Sequence, residues 1–378
     1  MFSQKNIYQL AVTGALLLAG CTSDDVAFEA APAGSVPLSF TCTSDDGFSE
    51  DGQEGTRAVL GYQGPMDSED LRYTGFGVFA SQRVDHSPDM MYNQEVKFTY
   101  IGDKDDPLKG FWSYQPTKYW PSDLTNFFIG AYAPYQEPPV APSDDDTDTG
   151  IVKISGKGEA PYIKFRRCLK PEDCVDLLWY FGQPSAVPEA GTLAMKMGHA
   201  LARLEVNAML ASPPPAGTKV LIDSIEILGS MVREGNLLLY SQTSVTKEEV
   251  TKYYPNWSIS NHDDEPRTIV IDNDDNNADS YGIIDAKVRY VKGLPYQWQP
   301  DGLLSTIAQN VLSYEGRKTY IYLIPKSTTQ SLTVNVRYHK MTATEDIPYY
   351  RGSDTKSIVL ANPLRGNTTY TLNINIVL

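Results

Sequence analysis

The chain has 378 residues, of which 41% are hydrophobic and 21% charged, and its formal net charge is −15 at pH 7. These values describe an ordinary globular body that is long enough for two domains, although one large β-domain is also compatible with the length. Because nucleic-acid binding needs basic patches that neutralise phosphates, the acidic balance excludes nucleic acid as an expected partner.

The N-terminus carries a short apolar run over residues 10–18, with Lys5 as the only charged residue before it. A run of this length is too short for a permanent membrane-spanning helix, and the small residues after it are typical of a secretory signal. Cys21 directly follows Leu18-Ala19-Gly20, which resembles a bacterial lipoprotein signal. This resemblance predicts a signal peptide over residues 1–20 and a lipid anchor on Cys21.

Behind the cysteine lies a polar leader, residues 22–57, with eight acidic residues and one basic residue, Arg57. The acidic run at 22–25 resembles the signal that directs lipoproteins of the Bacteroidetes to the cell surface. Within the leader, residues 36–42 alternate apolar and polar side chains, which predicts one half-buried strand between two flexible pieces. Pro37 fits the edge or the first position of that strand.

The body begins at Tyr73 and consists of β-rich runs separated by Gly, Pro and Asp clusters. We expect strands over residues 75–80, 91–100, 111–114, 126–132, 151–154, 162–165, 176–180, 219–228, 235–240, 267–271, 287–291, 319–324, 331–338, 357–360 and 370–378.

Three further stretches need an interpretation of their own. Residues 192–210 have some helical periodicity, but a strand after a short bend is preferred. Residues 219–228 and 235–240 look like the two arms of a hairpin, and residues 303–312 could form one short amphipathic helix. Many short strands with little helix predict an all-β fold of antiparallel sandwiches, two of them for this length, with a boundary near residues 182–191.

Three cysteines remain after Cys21. Cys168 and Cys174 could close a small loop by a disulfide in an oxidising compartment, or they could stay as two free thiols. Their spacing is wrong for a CxxC metal pair. Cys42 is expected to behave as a small apolar residue on a strand.

Motifs for catalysis and cofactors are missing from the sequence. None of the four histidines (His86, His199, His262 and His339) lies in an HExxH pattern or beside a plausible metal partner, and there is no GxSxG. Residues 150–158 lack the spacing and the Ser or Thr of a phosphate loop. Residues 272–279 are rich in oxygen ligands but lack the glycine and closing Glu of an EF-hand, so a solvated hairpin tip is favoured over a calcium site. We therefore expect no enzyme, no metal and no cofactor.

Aromatic residues crowd at Trp112, Tyr114, Tyr119 and Trp120. Exposed aromatic faces are typical of glycan-binding surfaces, whereas β-sandwiches also pack Trp and Tyr in their cores. Core packing is the favoured interpretation. A surface glycan-binding lipoprotein remains the alternative function, and a surface hydrolase is a more distant one.

An ordered series of motifs resembles the fimbrillin-like, type V pilin family of the Bacteroidetes. The series comprises the lipoprotein signal and residues 56–58, 75–80, 91–94, 118–121, 128–134, 197–204, 225–229, 323–325 and 366–370. The resemblance implies two transthyretin-like Greek-key β-sandwich domains in tandem, at residues 58–190, completed by strand 36–42, and at residues 191–378. It also implies a fimbrial subunit or fimbria-associated adhesion protein at the cell surface.

In that family the lipidated precursor is cut after an arginine of the leader, and a strand of another subunit fills the vacated groove. Arg57 and Ala58 are the expected processing site here, within the removable leader of residues 21–57. Extended, flexible backbone suits proteases. Expected partners are other pilin subunits, the processing protease, the lipids of the outer membrane and a host surface or glycan. The alternating residues 370–378 are a candidate strand for exchange, or they complete their own domain.

Overall fold

The computed structural model describes residues 34–45, 66–101, 109–138, 150–167, 176–259, 266–272, 287–291, 309–310, 313–314, 317–318, 320–326, 330–342, 348–360 and 364–378. The chain divides into two units, Met1–Ser35 and Val36–Leu378, and nearly all described residues belong to the second. Among the described residues, no helix has the length and apolar character needed to cross a membrane.

The described residues form an all-β fold, as the sequence predicts. One short α-helix is present among them, α1 (Ser68–Thr74), together with a 3-10 turn at Glu189–Gly191. The strands are β1 (Ser39–Ser44), β2 (Phe76–Ser81), β3 (Met91–Tyr100), β4 (Gly110–Ser113), β5 (Phe128–Ala133), β6 (Gly150–Ile154), β7 (Tyr162–Arg166), β8 (Leu178–Gly182), β9 (Thr192–His199), β10 (Ala202–Leu210), β11 (Thr218–Ser230), β12 (Glu234–Lys247), β13 (Val250–Ser258), β14 (Pro266–Asp272), β15 (Lys287–Val291), β16 (Gln309–Asn310), β17 (Ser313–Tyr314), β18 (Arg317–Lys318), β19 (Ile321–Leu323), β20 (Gln330–Thr342), β21 (Pro348–Leu360) and β22 (Thr368–Ile376).

The first half of the unit is built on a seven-stranded sheet in the order β1-β9-β8-β5-β2-β3-β4. Its pairs are antiparallel except for β1 and β9, which run parallel. One hydrophobic cluster joins β1, α1 and the strands β2, β3, β5, β8 and β9. Side chains on one face of these strands fill this cluster, and the central strands β2 and β5 are buried on both faces.

A second cluster lies between this sheet and a four-stranded sheet in the order β13-β12-β7-β6. Phe79 and Tyr132 from the first sheet share it with Ile163, Leu237 and other residues of β6, β7 and β12. In this second sheet, β12 pairs with β7, although the boundary predicted near residue 190 lies between the two strands in the sequence. The division into residues 58–190 and 191–378 stays a prediction.

A third cluster fills the second half of the unit. On one side β10 pairs with β22 in parallel and with β16 and β19 in antiparallel fashion. On the other side lies a sheet in the order β15-β14-β11-β20-β21. The apolar residues of β10, β11, β20 and β22 meet between these layers, which is the arrangement of a β-sandwich.

The preference for strands over residues 192–210 is confirmed by β9 and β10, which are separated by a bend at Ala200 and Leu201. The predicted hairpin of 219–228 with 235–240 is wrong, because β11 pairs with β14 and β20 while β12 pairs with β13 and β7. The connector explains the difference. Met231 is buried in the third cluster and its neighbour Val232 in the second, so the chain passes from one core to the next.

Helix α1 lies outside the predicted elements, and one local prediction is wrong. The helix starts with a capping box in which Asp67 accepts from the backbone of Glu69 and Asp70, and Asp70 accepts from Asp67 N. In the stretch 303–312, residues 309–310 belong to strand β16, paired with β10, so they are not helical. Residues 303–308 and 311–312 lie outside the described part of the chain.

Candidate functional site

The β1 segment, residues 36–45, lies at one edge of the seven-stranded sheet. Its strand pairs with β9 in parallel, from Ser39 opposite Thr192 to Ser44 opposite Met197. The first residues of the segment contact the stretch 118–120 instead, through a bridge between Pro37 and Tyr119. Leu38 N donates to Lys118 O at 2.8 Å, and Trp120 N donates to Val36 O at 2.9 Å. The segment therefore lies in a groove, with β9 on one side and residues 114–120 on the other.

Alternate side chains of the segment point into the first core. Leu38, Phe40 and Cys42 are 1%, 4% and 7% exposed. The Phe40 ring lies 6.2 Å from that of Phe76 and 5.6 Å from that of Tyr114. Burying a side chain of this size stabilises a fold by about 2 kcal/mol. Any occupant of the groove must therefore supply comparable apolar groups in the same alternation.

Cys42 is a free, buried cysteine in the middle of β1. Burial raises the pKa of its thiol well above the usual value, so the group stays protonated. The expectation that Cys42 acts as a small apolar residue is confirmed.

The predicted aromatic cluster forms the outer wall of the groove. Tyr114 Oη donates to Leu38 O at 2.6 Å, and burial raises its pKa to about 12. Trp120 is 6% exposed, and its Nε1 donates to Gly191 O at 2.8 Å. Trp112 packs on Phe76, with ring centroids 4.9 Å apart. The preference for packing over an exposed glycan platform is confirmed for these three aromatic residues.

Asp45 is the last residue of the β1 segment, and both its backbone and its carboxylate are hydrogen-bonded. Its N donates to Met197 O at 2.6 Å. Its carboxylate receives Lys196 Nζ at 2.6 Å on Oδ1 and Asn367 Nδ2 at 3.0 Å on Oδ2. Partial burial would raise the pKa of Asp45, but the hydrogen bonds and charges from Lys196 and Asn367 outweigh it and lower that pKa. The carboxylate is therefore held in its ionised form.

His199 binds the same residue from the last position of β9. Because a carbonyl oxygen can only accept, His199 Nε2 donates to Asp45 O, at 3.0 Å. On its other side, Nδ1 is hydrogen-bonded to Asp176 Oδ2 at 2.5 Å. Asp176 Oδ2 also accepts from Met66 N at 2.9 Å, where the described chain resumes after residue 45. His199 and Asp176 thus bind the two described residues Asp45 and Met66.

The tail of the chain adopts the same arrangement as β1. Strand β22 pairs in parallel with β10 from Ala202–Thr368 to Leu210–Ile376, and Leu372, Ile374 and Ile376 are buried in the third core. Since β9 continues into β10, β1 and β22 lie end to end along one ribbon and meet at Asp45 and Asn367. The tail completes its own sandwich in this state.

Other predicted site residues lie outside the described part of the chain. These are Cys21, Arg57, Ala58, Cys168 and Cys174. Of the acidic stretch 272–279, only Asp272 is described, at the end of β14. Within the described residues, no three His, Cys, Asp or Glu side chains come close enough to hold a metal ion.

The residues that sequence reasoning missed are Asp45, Asp176, Lys196 and Asn367. They lie on four separate stretches, and no spacing in the sequence connects them. His199 was noted only as a scattered histidine; the structure shows it 2% exposed and fully engaged in hydrogen bonds.

The profile of the fimbrillin-like family matches residues 56–377. A fimbrial protein from Bacteroides vulgatus has a similar fold, with a TM-score of 0.50 and 17% identity over 90% of this chain and 95% of that one. A proposed cell adhesion protein from Bacteroides uniformis has a TM-score of 0.38 and a sequence identity of 12%, over 86% of this chain and 98% of that one. The fimbrial anchor protein Mfa2 from Porphyromonas gingivalis has a TM-score of 0.30 and a sequence identity of 10%, over 84% of this chain and 82% of that one. No curated protein sequence matches this chain.

Proposed function

This chain belongs to the fimbrillin-like family, and we propose that it is a fimbrial subunit, or a fimbria-associated adhesion protein, that acts at the cell surface by assembly rather than by catalysis. In this proposal the precursor is an outer-membrane lipoprotein anchored through Cys21. A protease cuts after Arg57 and leaves Ala58 as the new N-terminus. The two halves of the body, residues 58–190 and 191–378, are two transthyretin-like sandwich domains in tandem.

The observation that carries the proposal is the position of the β1 segment. It buries Leu38, Phe40 and Cys42 in the first core, yet it enters the fold from the leader and ends at Asp45. Arg57 lies between Asp45 and Met66. A cut at Arg57 would separate the segment from the body and leave it held by non-covalent contacts alone.

Loss of β1 would leave an unpaired edge on β9 and an open pocket around Phe76 and Trp120. Unpaired edges and exposed apolar grooves accept extended segments of other chains. An extended strand from another pilin subunit is the proposed partner. A strand of the β22 type is one candidate, because it carries the required alternation and is paired on one side only among the described strands.

The test is an assembly assay with purified full chain and an arginine-specific protease. We expect cleavage at Arg57, loss of residues 36–45 from the body and formation of larger species in size-exclusion chromatography. An Arg57→Ala variant, treated identically, should keep its leader and stay at its starting size. A wild-type chain that is cut at Arg57 but stays monomeric at high concentration would contradict the proposal.

A further inference from the structure

The far end of the groove differs chemically from the rest. Along β1 the groove meets apolar side chains, whereas at Asp45 it presents nitrogen donors from Lys196, His199 and Asn367. These three residues come from the middle of β9, its last position and the turn before β22. We call them the carboxylate site.

The donors divide into two kinds. His199 Nε2 meets the main-chain oxygen of residue 45, which every residue has. Lys196 Nζ and Asn367 Nδ2 meet the two carboxylate oxygens of Asp45, one each. Hydrogen bonds between charged partners are about twice as strong as neutral ones, and two donors on two oxygens select for the shape of a carboxylate. The donors Lys196 and Asn367 therefore distinguish a strand that carries a carboxylate from a strand that does not.

Neighbouring groups orient two of the three side chains of the carboxylate site. Asp176, 4% exposed, fixes the orientation of the His199 ring. Asn367 has a φ of 54°, in the left-handed region, and its N donates to Leu201 O at 3.1 Å in the bend between β9 and β10. The side chain of Asn367 is thus directed by a backbone turn that also starts β22.

From this geometry we propose that Lys196, Asn367 and His199 recognise a carboxylate at the end of the strand that fills the groove. Asp45 supplies that carboxylate before processing. The replacement strand supplies it afterwards, at the position where a strand parallel to β9 ends. This inference rests on the proposed strand exchange only for the second occupant.

Two sources could supply the second carboxylate: the side chain of an Asp or Glu, or the free end of a strand. Residues 368–378 of this chain contain neither Asp nor Glu. A requirement for an acidic side chain would therefore point to a donor with a sequence unlike β22. A requirement for a free strand end would place no demand on the side chains of the donor strand.

The first test uses the intact chain and does not depend on strand exchange. Amide hydrogen exchange of residues 38–45 is measured for wild type, Asp45→Asn, Lys196→Met and the double variant at low salt. We expect each single variant to exchange about three- to tenfold faster, and the double variant to be no faster than the worse single one. Asn367→Gly, which keeps the left-handed backbone, should behave like Lys196→Met. Lys247→Met, at an exposed lysine that ends β12, should leave these amides unchanged.

The second test adds synthetic peptides to the full chain cut after Arg57. The probes are residues 36–45 as an amide, the same peptide with Asp45→Asn, and residues 36–44 with either a free carboxylate or an amide end. We expect the carboxylate-bearing peptides to bind about three- to tenfold tighter than their neutral partners, and Lys196→Met to remove the difference. Preference for the first peptide alone identifies a side-chain carboxylate, and preference for the free acid identifies a strand end.

Additive single effects in the intact chain, or equal binding of charged and neutral peptides, would overturn the inference. A cut chain that binds none of the four peptides would instead overturn the strand exchange. In that case, coupling between Asp45 and Lys196 in the intact chain would still establish the carboxylate site for its first occupant.

Discussion

Gly191 lies where the β1 segment enters the groove. Its φ is 71°, and a Cβ there would collide with the carbonyl of Pro37 and lie 2.6 Å from Val36 Cγ1. Only glycine combines this backbone conformation with so close an approach. The position therefore couples the turn before β9 to the seating of the β1 segment.

We expect Gly191→Ala to lower the free energy of unfolding by about 2 kcal/mol and to raise amide exchange over residues 36–40. Gly217→Ala is the matched control, because Gly217 has a φ of 75° but nothing within 4 Å of a built Cβ. The control should show the cost of the backbone strain alone, without faster exchange in β1. Equal exchange in the two variants would mean that Gly191 has no part in holding the segment.

Phe40 is the largest side chain that β1 places in the core. Phe40→Ala should lower the free energy of unfolding by about 3–5 kcal/mol, measured by chemical denaturation, because it leaves a cavity beside Phe76 and Tyr114. Phe111→Ala removes the same atoms from a ring that is 50% exposed, and we expect it to cost less than about 1 kcal/mol. Similar losses in both variants would contradict the burial of β1.

Asp45 gives the groove a dependence on pH. The pKa of Asp45 is lowered in the folded chain, so its contribution is complete above its unfolded pKa and disappears as the pH falls through the folded value. Protection of the β1 amides in wild type should decrease in acid by more than it does in Asp45→Asn. Asp85→Asn, at an exposed carboxylate whose pKa is also lowered, is the control and should keep the wild-type profile in β1.

At the scale of the element, strands were predictable and their partners were not. The alternation at residues 36–42, 331–338 and 370–378 predicts strands, and the structure has β1, β20 and β22 there with Leu332, Val334, Leu372 and Ile374 buried. Alternation records which side chains face a core, because side chains of a strand point to opposite faces in turn. It contains no information on which strand lies beside it.

The pairing of β1 illustrates this limit. Ser39 and Thr192, whose hydroxyls lie 2.8 Å apart, are 153 residues apart in the chain. The hairpin predicted for β11 and β12 failed for the opposite reason, since neighbours in sequence went to different sheets. Short connections favour adjacent pairing, but the buried pair Met231 and Val232 outweighs that preference here.

Strand β22 allows a test of the packing in the third core, which fills the second half of the unit. Ile374→Ala should lower the free energy of unfolding by about 2–5 kcal/mol and loosen the third core, because Ile374 is 2% exposed and packs in that core between the β10–β22 layer and the facing sheet. Amide exchange should rise in β10 and β22 and stay unchanged in β2 and β5. Asn373→Ala, on the exposed face of the same strand, is the control. A uniform rise in all four strands would mean that the two halves unfold as one.

For the whole molecule, the family and the all-β class could be predicted from the sequence, whereas the site at the end of the groove could not. The motif series predicted a fimbrillin-like protein, which the match over residues 56–377 confirms. The site at Asp45 joins residues from the leader, β9, the stretch before β8 and the turn before β22. Such a constellation exists only after folding, because each of its members is an ordinary polar residue in its own segment.

In the proposed assembly, the leader combines two roles, membrane anchoring and occupation of the groove. The leader is acidic, and its residues 21–57 include the proposed lipidation site Cys21, the β1 segment and the proposed cleavage site Arg57. One cut would therefore release the anchor and free the groove together.

Mass spectrometry of fimbriae isolated from the native cell surface tests this claim most directly. We expect subunits in the filament to begin at Ala58 and peptides from residues 36–45 to be absent from the washed filament. Filament subunits that begin at Cys21, or that retain residues 36–45 in a one-to-one ratio with the body, would contradict it.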